Sequence, residues 1–280
     1  METLTSNNYI HQEEDVISQF LNDYPSQNNS IDNEFEIIGV DERKRITQTT
    51  LAPFRYVCHV EITRNGVKEK GRTGVLIGPK TVLTAAHCIW DESVDRLEDL
   101  SKVSIRVIPG RNGSLQPLSA SRAVKLVASP GYNKSKGASK ADYGIIHLND
   151  PIGNNIGYWS LKYRKTKADT LGTSTLSGNL PVAPGKLFVN LCGYPTDKSG
   201  QQQYSSYGKT VLNKDGMLHY LNDTYFGHSG SPVWIKRAAS MGGRVLVGIH
   251  VAGDDAIGVK ANRAVFINTQ VRNFIITNLK

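Results

Sequence analysis

Short runs of β-branched, aromatic and aliphatic residues recur along this chain at residues 55–63, 74–77, 103–108, 123–128, 143–148, 186–191, 233–235, 245–250 and 263–267, each bounded by Gly, Pro or Asn. Runs of this length and spacing are strands of an all-β sandwich or barrel, since βαβ units would need helical periods of ten or more residues between them. Asn65-Gly66 falls between two runs, where a two-residue turn with positive φ at both positions closes a hairpin. Only two later segments have helical character. Residues 84–90 suffice for one turn, and residues 269–279 place Val271, Phe274, Ile275 and Leu279 on one face, with Asn268 or Thr269 available as cap. There is no internal repeat, no glycine-rich nucleotide loop and no Cys/His spacing suited to zinc, so no metal or organic cofactor is expected.

The chain before these runs is of another kind. Residues 1–36 hold eight acids and no Lys or Arg, whereas the remainder carries 33 basic residues against 17 acids, a net of +16 inside an overall +8. Val16, Ile17, Phe20 and Leu21 make a two-turn apolar face, and residues 24–33 have the Pro, Ser, Asn and Gln composition of a linker. A boundary near residues 33–37 follows. The first ten residues lack the basic start and apolar core of a signal peptide, and no apolar stretch approaches the roughly 20 residues of a membrane helix. The basic body suits an anionic partner or serves solubility, and the acidic leader suits an internal counter-ion.

Three segments carry chemistry together: Thr84-Ala85-Ala86-His87-Cys88, Ala141-Asp142-Tyr143-Gly144, and Gly227-His228-Ser229-Gly230-Ser231. A serine hydroxyl is a poor nucleophile at neutral pH, and an imidazole is the side chain whose pKa lets it serve as base. A carboxylate on the other ring nitrogen fixes the tautomer and stabilises the imidazolium. His87, Asp142 and Ser229 are therefore the candidate base, orienter and nucleophile. Gly227 lets the backbone turn so that the amides of Gly227 and Ser229 face one oxyanion.

In the order His, Asp, Ser and in these local frames the chain resembles the chymotrypsin-like serine proteases, and within them the glutamyl endopeptidases. The likeness runs from about residue 37 to the C-terminus. It is carried by Ile38-Gly39-Val40-Asp41-Glu42-Arg43, by residues 74–82 leading to the His, by Cys192-Gly193-Tyr194-Pro195, by Asp223-Thr224-Tyr225, by Gly248-Ile249-His250, and by residues 264–268 and 271–274.

The resemblance implies two antiparallel β-barrels with a C-terminal helix that closes the second barrel or crosses back over the first. Residues 37–155 would form the first barrel, with His87 and Asp142, and residues 156–280 the second. It implies a serine endopeptidase acting on proteins or peptides after Glu, less well after Asp, with Thr224 and His250 binding the substrate carboxylate. It also implies a secreted monomer that binds neither nucleic acid nor membrane. The leader would be a propeptide removed at Glu36–Ile37.

The likeness has two departures. His228 stands where trypsin-like zymogens have an Asp, and it is expected to face solvent rather than to line the cleft and contact substrate. Arg72 and Thr73 stand where relatives place the cysteine partner of Cys88; Cys58 is then the one candidate partner, and three cysteines leave at least one thiol unpaired. A same-fold protease of other specificity, similar to the exfoliative toxins, and a non-enzymatic basic binding module are the competing readings.

Overall fold

A computed structural model describes residues 37–69, 71–133, 139–159, 187–236, 244–254 and 260–280. The leader helix, the linker and Glu36 lie outside the described residues. In chain order the strands are β1 (Lys44–Arg45), β2 (Val57–Arg64), β3 (Val67–Lys68), β4 (Arg72–Gly78), β5 (Thr81–Thr84), β6 (Trp90–Asp91), β7 (Arg96–Leu97), β8 (Val103–Pro109), β9 (Ser121–Ala128), β10 (Gly144–Leu148), β11 (Phe188–Gly193), β12 (Tyr204–Lys214), β13 (Met217–Tyr220), β14 (Pro232–Lys236), β15 (Arg244–Asp254) and β16 (Ala261–Phe266).

Two six-stranded antiparallel barrels result. The first runs β2-β4-β5-β10-β9-β8 and closes through β2–β8; the second runs β12-β11-β14-β15-β16-β13 and closes through β12–β13. The period-two pattern is visible in β8, where Val103, Ile105 and Val107 are buried while Ser104 and Arg106 are more exposed. Asn65 and Gly66 both have positive φ, 51° and 77°, at the β2–β3 turn. Strands β12 and β13 were not among the expected runs; β12 opens with Tyr204, Ser205 and Ser206 rather than with aliphatic residues.

Each barrel has its own apolar interior, and a third cluster joins them. There Val57, Val75, Leu83 and Ile145 of the first barrel meet Cys192, Tyr194, Trp234 and Ile249 of the second. The C-terminal helix α1 (Thr269–Thr277) is capped by Asn268, whose side-chain oxygen accepts the Val271 amide at 3.0 Å. Of the two routes expected for it, the helix crosses back over the first barrel. Phe274 meets Tyr143 edge to face at 5.0 Å, and the Lys280 carbonyl accepts the Lys80 amide at 3.1 Å. All three cysteines are free. Among the described residues no helix is long and apolar enough to cross a membrane.

Candidate active site

His87 sits in a 3-10 turn, Ala86–Ile89, directly after β5, so the end of a barrel strand fixes its backbone. Asp142 precedes β10, the neighbour of β5 in the sheet, and is wholly buried. Its carboxylate grips His87 twice. Oδ2 lies 2.7 Å from the ring Nδ1, and Oδ1 accepts the His87 backbone amide at 3.0 Å. Burial is the largest single influence and lowers the His87 pKa, but the charges of Asp142 and Cys88 and the hydrogen bonds to both together outweigh it, and the net position is well above that of an ordinary histidine. Such a ring is neutral, and able to take a proton, only on the alkaline side of its usual range.

Ser229 lies in the loop before β14 and is almost fully buried. Two contacts seat this loop on the first barrel. The Thr73 amide donates to the Ser229 carbonyl at 3.0 Å, and a Cβ at Gly230 would run into Thr73 and Thr84, the residue that ends β5. Ser229 Oγ makes no hydrogen bond to His87 among the described residues; such contacts commonly tighten only when substrate binds.

The backbone around Ser229 is pinned peptide by peptide. The Phe226 carbonyl accepts the Thr196 amide at 2.7 Å, and the His228 carbonyl accepts the Ser231 amide at 2.8 Å. Because a trans peptide directs its N–H opposite to its C=O, these two bonds aim the amides of Gly227 and Ser229 the other way. The peptide between them is held by the Thr73 hydroxyl, which donates to the Gly227 carbonyl at 2.6 Å while accepting the Tyr194 amide at 3.0 Å. Gly227 has φ of 92°, and a Cβ there would strike the Tyr194 carbonyl.

Thr224 and His250 are both wholly buried. The Thr224 hydroxyl donates to Asn262 Oδ1 at 2.6 Å, and Asn262 donates to the Asn222 carbonyl at 2.7 Å. His250 Nδ1 lies 2.7 Å from the Tyr220 hydroxyl, while Nε2 is buried with no hydrogen-bond partner. Burial, then the neighbouring His228 and His87, push the His250 pKa well down. The ring is therefore neutral. The 2.7 Å contact fits either tautomer; when Tyr220 donates to Nδ1, the ring proton sits on Nε2.

His228 corrects the expectation of a solvent-facing residue. It has no exposed surface, its Nδ1 accepts the Tyr225 amide at 3.0 Å, and burial pushes its pKa down to about 3. A neutral histidine here takes part in shaping the turn. Sequence reasoning also passed over Tyr220 and Asn262, and it named Thr73 and Asp223 without a role in the site. Asp223 accepts the backbone amides of Ile38 at 2.8 Å and Glu42 at 2.7 Å, tying the segment after the leader to the residue beside Thr224.

The family model described as Trypsin matches residues 45–275. A glutamyl endopeptidase of Bacillus licheniformis is 33% identical over 78% of this chain, which spans 61% of that relative's length. A Bacillus subtilis protein named extracellular metalloprotease is 32% identical over 84% of this chain and 68% of its own. Among the described residues no three His, Cys, Asp or Glu side chains converge as a metal site. A solved Glu endopeptidase, in complex with MPD, superposes with a TM-score of 0.66 at 24% identity, covering 86% of this chain and 98% of that one.

Proposed function

The chain belongs to the trypsin family, and on that premise we propose that it is a serine endopeptidase that cuts proteins and peptides after glutamate, less well after aspartate, through an acyl-enzyme. The observation that carries this is the two-point grip of buried Asp142 on His87. With Nδ1 held, the proton-accepting nitrogen is Nε2. Ser229 Oγ attacks the carbonyl, its proton passes to His87, and the amides of Gly227 and Ser229 receive the oxyanion. His87 then protonates the departing amine, and water releases the acid product by the same path.

Glutamate preference is supported by His250, whose buried Nε2 makes no hydrogen bond among the described residues and is a donor when Tyr220 donates to Nδ1. A carboxylate supplies the missing acceptor and favours the imidazolium once bound. Thr224 enters with its proton already given to Asn262, so it helps through a hydroxyl that can be re-aimed rather than one that waits free. An exported enzyme fits the extracellular name of the Bacillus subtilis relative. Removal of residues 1–36 at Glu36–Ile37 would leave a new amine at Ile37, next to the segment that Asp223 holds at Ile38 and Glu42.

Peptides differing only in the residue before the cut test the proposal. Glu is expected to be cleaved best and Asp less well, with nearly all cleavage lost in Ser229→Ala. Equal cleavage of Glu and Ala peptides removes the specificity, and an active Ser229→Ala variant removes the mechanism.

A further inference from the structure

A cleft of about 320 Å³ opens on the first barrel beside His87 and Cys88. Its position relative to the reacting groups has a direction. Thr224 and His250, which would take the acidic side chain, belong to the second barrel. Arg72, in the cleft wall, is the neighbour of Thr73, whose amide binds the Ser229 carbonyl. The cleft therefore starts beside the nucleophile and runs over the other barrel. His87 has to hand a proton to the departing amine, so the chain beyond the cut must pass it on this side.

The cleft is built around one arginine with too many partners. Arg64 reaches Glu69 at 2.8 Å, Glu98 at 2.7 Å and Asp91 at 3.6 Å. Glu92 and Arg72 complete the charged lining, so four carboxylates and two guanidiniums line the cleft, with Arg96 behind Asp91 as a third. On a body of net +16 this is a local reversal of sign. Glu98 is the group most in need of a further cation. Its side chain is 4% exposed, its Oε1 is taken by Arg64, and its Oε2 is buried with no donor. Burial raises its pKa, and nearby Asp91 and Glu69 add to that against the opposing pull of Arg64. Trp90, set edge-on against Tyr132 at 5.0 Å, offers an apolar wall for the stem of a long side chain.

We propose that this cleft is the subsite for the leaving-group side of the substrate, and that it selects Lys or Arg among the first three residues after the cut. The proposal rests on the serine-protease mechanism above. Together with the pocket at His250 it would make the enzyme select an acid before the bond and a base after it.

Internally quenched peptides with Glu before the cut, and with Lys, Arg, Ala or Glu placed in turn at each of the next three positions, provide the test at low ionic strength. At one of these positions, kcat/KM for Lys and Arg is expected to exceed that for Ala by about three- to tenfold, with Glu below Ala. Glu98→Gln should bring the Lys-to-Ala ratio close to one. Because that change also weakens the contact with Arg64, Glu92→Lys, on the exposed side of the cleft, is the second variant and should do the same. A wild-type ratio near one at all three positions overturns the subsite, and a ratio that survives in both variants overturns its assignment to this cleft. Failure to cut any Glu peptide would instead refute the protease mechanism beneath it.

Discussion

Thr73 belongs to the first barrel, yet its hydroxyl holds the Gly227–His228 peptide of the second, and its amide and carbonyl bind Ser229 and Thr84. The proposed oxyanion donors, the amides of Gly227 and Ser229, thus flank a peptide held across the barrel interface by one buried side chain. Thr73→Val keeps the shape and removes the hydroxyl, leaving the Gly227 carbonyl without its donor and the Tyr194 amide without its acceptor. Loss of an oxyanion donor costs on the order of 100-fold or more in rate, and misalignment of two donors should cost at least about tenfold. The expected result is a fall in kcat with KM nearly unchanged, together with weaker binding of a peptide boronate that mimics the tetrahedral state. Thr73→Ser should restore most of both. An unchanged kcat in Thr73→Val would show that the loop holds its aim without this hydroxyl.

At the scale of elements, the segment before β2 is a strap laid on the second barrel. Ile38 and Glu42 give their amides to Asp223, β1 pairs with β12, and the Ile46 amide binds the Gln203 carbonyl at 2.8 Å. Arg43, with its side chain 1% exposed, lies between Asp41 and Asp197 and over the Tyr225 ring at 5.7 Å. Arg43→Met leaves Asp197 without its guanidinium and Asp41 with Lys198 alone, at 3.2 Å, and should cost about 2 kcal/mol. For a domain of this size that lowers Tm by a few degrees; an unchanged Tm would show that the strap adheres without its arginine. None of this was legible in the sequence, because the strap depends on partners more than 150 residues away. The strands that carry local alternation were legible, as were the turn at Asn65-Gly66 and the helix capped by Asn268, for the same reason in reverse. His228 was misread because its burial is set by distant neighbours such as Gly193, at which a Cβ would crowd the His228 ring. Tyr220 and Thr73 could be read as strand residues but not as partners of His250 and Gly227, since register between non-adjacent strands leaves no local mark.

Across the whole molecule, charge is distributed in three tiers: an acidic leader, a body of net +16, and the acid-lined cleft beside His87. The proposed pocket for glutamate uses neutral donors, so the body's surplus acts on substrate by drawing acidic chains through solvent before contact. Such attraction decays over a Debye length, about 10 Å at 0.1 M salt and about 3 Å at 1 M, whereas hydrogen bonds in a buried pocket are screened much less. The two contributions therefore separate by ionic strength. For a peptide with several acids, kcat/KM should fall several-fold between about 0.02 M and 0.5 M salt, chiefly through KM. A peptide whose only acid is the glutamate at the cut should respond less. The leader sharpens the comparison, because the full chain carries +8 and the body alone +16. Removing residues 1–36 should steepen the salt dependence for the acid-rich peptide. A flat response in both forms would leave the surplus charge with a role in solubility alone.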